Sequence, residues 1–395
     1  MLGAVYIGLS GLNAYSKGLQ TISNNVANLN TPGFKSSSAK FSDLFYSGSP
    51  APADDGSEAN QFGEGVSYAH SYINFKQGDV RPSDGQLDLA IQGKGFLVQL
   101  NGANKVYSRT GQFSVADDGN IVERTTGNRI ALLGANGNLI PASISGKKLS
   151  PPQVSTKLTF GDNLSSSGDS HEIANVDVYD ASGAKQTLKI HFQNMQATTP
   201  GKWKVTVMNS AGTQISEGAL MFRNSVPEPG NDSMTVSLQP PGAPLLSLDF
   251  DFSQVTNFSS GTTSSMRVAN KDGYGSGDLT STTVDDSGQI VLSYSNGKTA
   301  TLGYVAMADF EDPQALKQMG QGIYQSDASK APNIGRSGEQ GMGKVSGHSS
   351  EASNVDLSGE FGQLIIVQRG FQASSQVIST ANDMIQQLFD LKGLK

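Results

Sequence analysis

The amino-acid sequence predicts a mainly β, multidomain chain with an α-helix at each end. The two helices are expected to pack as a coiled coil, and the β domains are expected to be nested and discontinuous. Three observations predict this. Turn signals separate strand-like runs throughout the middle of the chain. Interrupted heptads of apolar residues occupy both ends. The 395 residues exceed what one ordinary core holds.

At the N-terminus, Leu2, Val5, Leu9, Leu12, Leu19 and Val26 recur at alternating spacings of three and four, with Ser16 and Ser23 in the intervening seam positions. Ile22 and Leu29 widen the stripe. Asn30-Thr31-Pro32-Gly33 stops the helix, because proline cannot continue it and glycine favours the turn. At the C-terminus, Leu357, Phe361, Leu364, Phe371, Ile378, Ile385 and Phe389 form one stripe whose gaps are filled by Gln368, Ser375 and Asn382. Ser353 or Asn354 is placed to cap its start and Gly393 to end it. Matching heptads at opposite ends of a β-rich chain favour mutual packing over each helix lying on its own domain.

Between them, Leu87, Leu89 and Ile91 alternate, and Phe96-Leu97-Val98 follows after Gly93 and Gly95. Asp118-Gly119, Asn136-Gly137, Ser182-Gly183, Ser287-Gly288 and Asn296-Gly297 each sit between strand-like runs, as hairpin turns do. No strand alternates with a long helix, which argues against a nucleotide-binding α/β fold. Pro/Gly/Ser-rich stretches set the expected boundaries. Residues 1–32 with 355–395 make the helical domain, and 33–70 a linker that orders on assembly, with Ser47 to Gly63 its most polar part. Residues 71–145 with 285–354 make an inner β domain, and 146–284 an outer one inserted into it.

Composition excludes several function classes. Net charge is −7 without a basic run, which argues against nucleic acid as partner. No apolar stretch reaches the length of a membrane helix, and no basic n-region of a cleaved signal peptide precedes the first apolar residues. There are no cysteines, hence no disulfide, thiolate metal site or cysteine nucleophile. His70, His171, His191 and His348 are scattered outside any metal-ligand spacing. Gly93-Lys94-Gly95 lacks the remainder of a phosphate loop and reads as a strand bend. Asp117-Asp118-Gly119-Asn120 lacks the distal glutamate of an EF-hand and reads as a turn. The expectation is a protein without catalytic residues, cofactor or metal.

Asn24-Asn25-Val26-Ala27-Asn28-Leu29-Asn30-Thr31-Pro32-Gly33-Phe34-Lys35 resembles the signature of the flagellar rod and hook protein family. Within it, Asn24, Asn25, Ala27, Asn28, Thr31, Gly33, Phe34 and Lys35 carry the likeness. Phe75-Lys76-Gln77-Gly78, continued by 87–96, and Glu351-Ala352-Ser353-Asn354-Val355-Asp356-Leu357, continued by 368–372, resemble the same family in the same order. The resemblance covers both ends and the first β domain.

The resemblance implies a structural subunit that self-assembles into a helical tube. The inserted outer domain favours the hook, a curved universal joint between rod and filament. A distal rod-type axial protein is the alternative, and an extracellular β-rich adhesin a more remote one. It also implies partners: further copies of the chain, the distal rod protein, the hook cap protein, the hook–filament junction protein and the flagellar type III export apparatus, with export outside the cell and no cleaved signal. The apolar stripe positions of both helices are expected to form the intersubunit core.

Overall fold

The fold is described from a computed structural model, for residues 2–44, 46–47, 62–240, 242–327 and 331–392. It is mainly β, with a helix at each end, α1 (Leu2–Ala27) and α2 (Leu357–Lys392). The chain divides into two compact units, one of residues 1–145, 282–291 and 301–395, the other of 146–281 and 292–300. Most of the Ser47–Gly63 stretch, and the expected terminator Gly393, lie outside the described residues.

In the first unit, the strand Asp88–Gln92 pairs antiparallel with both Thr110–Val115 and Lys344–Gly347. Leu89, Ala90 and Ile91 are all buried, so this strand is covered on both faces and does not alternate in burial as its sequence predicts. Phe96–Asn101 and Asn104–Ser108 form the following hairpin. Phe96, Tyr107, Phe310 and Tyr324 meet in an aromatic cluster, Tyr107 and Phe310 edge to face at 4.9 Å between centroids. Gly93 and Gly95 adopt φ of +103° and +106°, which supplies the bend expected between the two strands. The expected linker region contributes two paired strands instead: Ser37–Asp43 runs antiparallel to Val66–Ile73, shifting register between Lys40 and Phe41.

The second unit has a five-stranded sheet spanning residues 170–227 and a four-stranded one in which Lys157–Asn163 lies parallel to Leu246–Thr256. Their side chains share a core that includes Trp203, Phe160, Phe192, Phe250 and Phe252. Burial along Lys202–Asn209 alternates residue by residue, as a strand with one face in a core requires. At the five predicted turns, Gly119, Gly137, Gly183, Gly288 and Gly297 all take positive φ, between +73° and +82°. In three of them an aspartate tightens the loop: Asp118 accepts from the Asn120 amide. Asp180 accepts from the Ser182 and Ala184 amides, and Asp285 from those of Ser287 and Gln289.

α1 contains Gly3, Gly8, Gly11 and Gly18, so its intrinsic helix propensity is low and packing must hold it. That packing is against α2. A Cβ placed on Gly8 would stand 2.6 Å from Ile378 Cγ1, and one on Gly18 would stand 3.3 Å from Val367 Cγ1. With Gly370 under the Tyr15 ring, these contacts fix an antiparallel pair in a single register. Both ends are thus helical in the single chain, where each supplies the other's partner. α2 is capped by Asp356, whose Oδ1 accepts the Ser358 amide at 3.1 Å, and not by Ser353 or Asn354. Asn354 is engaged elsewhere.

Candidate functional site: the junction of the two chain ends

α1 ends at Ala27, and beyond Pro32 the chain turns at Gly33, whose φ is +69°. The Gly33 amide donates to Glu351 O at 2.7 Å, which brings the N-terminal motif against the start of the C-terminal one. Lys35 follows, and its side chain is fully buried. Its Nζ donates to Glu351 Oε1 at 2.6 Å and to Lys76 O at 2.8 Å. Glu351, also fully buried, accepts from the Gly78 amide at 2.8 Å through the same oxygen. Its Oε2 accepts from Arg109 Nε at 3.2 Å. Arg109 Nη1 donates to Gly95 O at 2.6 Å and Nη2 to Ile91 O at 3.2 Å, so the guanidinium also ties the strand Asp88–Gln92 to the bend that follows it.

Asn354 completes the junction. Its Oδ1 accepts the Ser36 amide at 2.8 Å, and its Nδ2 donates to Asn74 O at 2.6 Å and Lys76 O at 2.8 Å. Residues from near both termini and from the β region thus converge on one polar cluster, with Lys35, Glu351 and Arg109 buried at its centre. Burial pushes the Lys35 amine below its ordinary value, and the Glu351 carboxylate opposes that shift. Burial likewise pushes the Tyr324 hydroxyl up to about 12. Such a cluster is held by geometry. Breaking one partnership strands a buried charge, at a cost of about 3–5 kcal/mol.

One helical turn away, Asn25 is buried in the helix seam. Its Nδ2 donates to Glu360 Oε1 at 2.8 Å and Ser37 O at 2.7 Å, while its Oδ1 accepts the Ser37 amide at 2.9 Å. Asn28 Nδ2 donates back to Asn24 O at 2.9 Å and closes the end of α1, and Thr31 Oγ1 donates to Asn28 Oδ1 at 3.1 Å. Motif residues Asn24, Asn25, Asn28, Thr31, Gly33 and Lys35 therefore share this region. Ala27 is exposed and Phe34 half-buried, its amide bonded to Thr31 O at 3.2 Å.

The apolar stripe positions divide into two groups. Leu364, Ile378 and Ile385 of α2 are half-buried, and Ile378 faces Gly8. On α1, Val5, Leu12, Leu19 and Val26 are half-buried, but the buried positions are Gly8, Gly11, Ala14, Gly18, Ile22 and Asn25. The face turned inward is the small one. Leu2 and Leu9 are exposed at 72% and 56%, as are Leu357, Phe361 and Phe371. Sequence reasoning missed Glu351, Arg109 and Glu360 as functional residues. Glu351 lay inside a motif already singled out, which was the available signal.

Comparison with known proteins matches the two ends of the chain to family models. Residues 5–35 match the flagella basal body rod protein model, and residues 346–391 the flagellar basal body rod FlgEFG protein C-terminal model. The Borreliella burgdorferi flagellar hook protein FlgE is 29% identical, with 99% of this chain and all of that protein aligned. The chain is similar along nearly its whole length to flagellar hook proteins. The Salmonella typhimurium flagellar hook protein FlgE is 28% identical over 97% of this chain and 98% of the relative. The crystal structure of Helicobacter pylori flagellar hook protein FlgE2 aligns with 67% of this chain and 98% of its own at 14% identity and a TM-score of 0.47. The two matched segments contain Lys35 and Glu351 between them, whereas Arg109 and the backbone of residues 74–78 lie outside both.

Proposed function

We propose that this chain is the structural subunit of the bacterial flagellar hook, self-assembling into a curved helical tube that passes torque from rod to filament. The observation that carries the proposal is the end-to-end likeness to hook proteins, combined with apolar residues left exposed on the paired helices. Leu2, Tyr6 and Leu9 follow one another at helical spacing on α1 and are 72%, 70% and 56% exposed. On α2, Ile366 and Phe389 are each 70% exposed. Apolar surface of this kind marks an interaction site. A surface that binds a different surface of an identical copy generates an open helical filament.

The stripe residues of both helices are assigned to this assembly in two roles: the half-buried ones bind the subunit's own helices together, and the exposed ones bind neighbours. Residues 1–32 with 355–395 act as the inner layer. The inserted segment 146–284 acts as the outer domain, whose polar surface lets neighbours slide as the tube bends. The distal rod, hook cap and hook–filament junction proteins are assigned as end partners, and the type III apparatus as the exporter acting on an uncleaved N-terminus. No enzymatic activity is proposed. Electron microscopy of the purified chain under polymerising conditions tests the reading. Hollow tubes are expected; a chain that stays monomeric overturns it.

A further inference from the structure

We infer that the buried Lys35–Glu351–Arg109 cluster is a latch that makes docking of the two chain ends onto the β region a single coupled event. One carboxylate serves cations from two sources. Lys35 belongs to the segment leaving α1, Arg109 to the β region, and Glu351 to the segment entering α2. Lys35 and Glu351 are separated by 316 residues in sequence. With either chain end undocked, the cluster loses the Lys35–Glu351 attraction: an N-terminal segment docked alone buries Lys35 without an anion, and a C-terminal segment docked alone leaves Glu351 paired with Arg109 but without Lys35, its nearer donor. The Lys35–Glu351 attraction is thus shared by both ends and is lost whichever end opens, which is the condition for two segments to open and close together. The neutral hydrogen bonds beside the cluster carry no such penalty, since undocked amides and carbonyls return to water.

This latch belongs to the single subunit and does not depend on polymerisation. It gives the helix pair an origin on the β region that neither helix supplies alone. A subunit presents α1 and α2 together or not at all, so a neighbour meets the paired face and not one free helix.

Hydrogen exchange on the full-length, unpolymerised chain tests the inference. Three groups of amides report: Gly33 and Ser36 on the N-terminal side, Glu351, Ala352 and Asn354 on the C-terminal side, and Gly78 on the β region. Lys35→Met keeps the length of the side chain and removes its charge. It is expected to raise exchange in all three groups by one common factor, on the order of a hundredfold, as loss of one partner of a buried ion pair implies. Glu351→Gln, made from the other end, is expected to loosen the same three groups. Lys35→Arg, which keeps the charge, is expected to retain protection at both ends. Loosening confined to the substituted segment, or equal loosening by Lys35→Arg and Lys35→Met, overturns the latch. If Lys35→Met does not fold, Glu351→Gln and Lys35→Arg give the same discrimination.

Discussion

Asp251 accepts Lys157 Nζ at 2.8 Å and the Ser253 amide at 3.0 Å. These bonds, the lysine first, hold its carboxyl at about 2, below the ordinary 3.8. A carboxyl with a depressed folded value binds fewer protons folded than unfolded between those two values. Its stabilisation is therefore complete above about pH 4 and is lost as pH falls from there towards 2. Asp251→Asn should flatten that part of the acid-unfolding profile of the second unit and leave the neutral-pH melt lowered by about 1 kcal/mol or less, since Lys157 remains partly exposed. Trp203, the chain's single tryptophan, is buried in that unit's core, so its fluorescence follows this unfolding. An unchanged acid profile in the variant would remove Asp251 from the account. At this scale, the sequence revealed residues whose role is local. The turn glycines were legible because a turn is set by a few adjacent residues, whereas Asp180 and Asp285, two to four positions from the amides they accept, were not singled out. Lys35 was legible as a motif residue, but its carboxylate partner was not, since pairing across 316 positions leaves no local pattern.

The helix pair shows the same limit for whole elements. Apolar periodicity identified both helices, because a stripe at three- and four-residue spacing needs only a window of sequence. It did not identify which face packs against which. α1 turns its glycines and Ala14 inward so that α2 approaches closely, and several of the larger apolar residues remain outside. A heptad reading ranks positions by hydrophobicity and so overlooks a seam selected for smallness. This close approach has a measurable consequence. A Cβ on Gly370 would stand 2.5 Å from the Tyr15 ring, whereas one on Gly362 of the same helix meets nothing within 4 Å. Replacing a helical glycine by alanine gains about 1 kcal/mol of helix propensity, and overpacking a tight contact costs about 1–3 kcal/mol. Gly362→Ala is therefore expected to raise the midpoint of the helical circular-dichroism melt, and Gly370→Ala to lower it. A rise with both would mean that the helices do not pack in this register. The paired strands Ser37–Asp43 and Val66–Ile73 were hidden for another reason: they flank a polar, Pro- and Gly-containing stretch and read with it as linker, although Val66, Tyr68, Tyr72 and Ile73 favour extended structure.

For the whole molecule, chain order set the nesting: Pro/Gly/Ser stretches bracketed an insert, and one compact unit is formed by 146–281 with 292–300. The hairpin residues 292–300 escaped the expected boundary, because a composition shift cannot show that a later hairpin tip joins the insert. Assembly is where the two groups of stripe residues must separate. Ile378 is half-buried against the Gly8 backbone of its own subunit, while Ile366 is 70% exposed. An aspartate at an exposed site alters subunit stability by about 0.5 kcal/mol or less. The same carboxylate enclosed in a polymer core, unpaired, costs several kcal/mol or must take up a proton, and a tube repeats that cost at every subunit. Ile366→Asp should therefore melt like the parent yet fail to sediment under conditions that polymerise it. Ile378→Asp should already lower the helical melt of the free subunit, because its charge meets α1 before any neighbour arrives. Leu364→Asp is expected to behave as Ile378→Asp does. Sedimentation paired with circular-dichroism melts separates the outcomes. Normal tubes from Ile366→Asp would show that this face of α2 stays in solvent within the assembly, and the exposed side chains of α1, Leu2, Tyr6 and Leu9, would then have to supply the apolar contact between subunits.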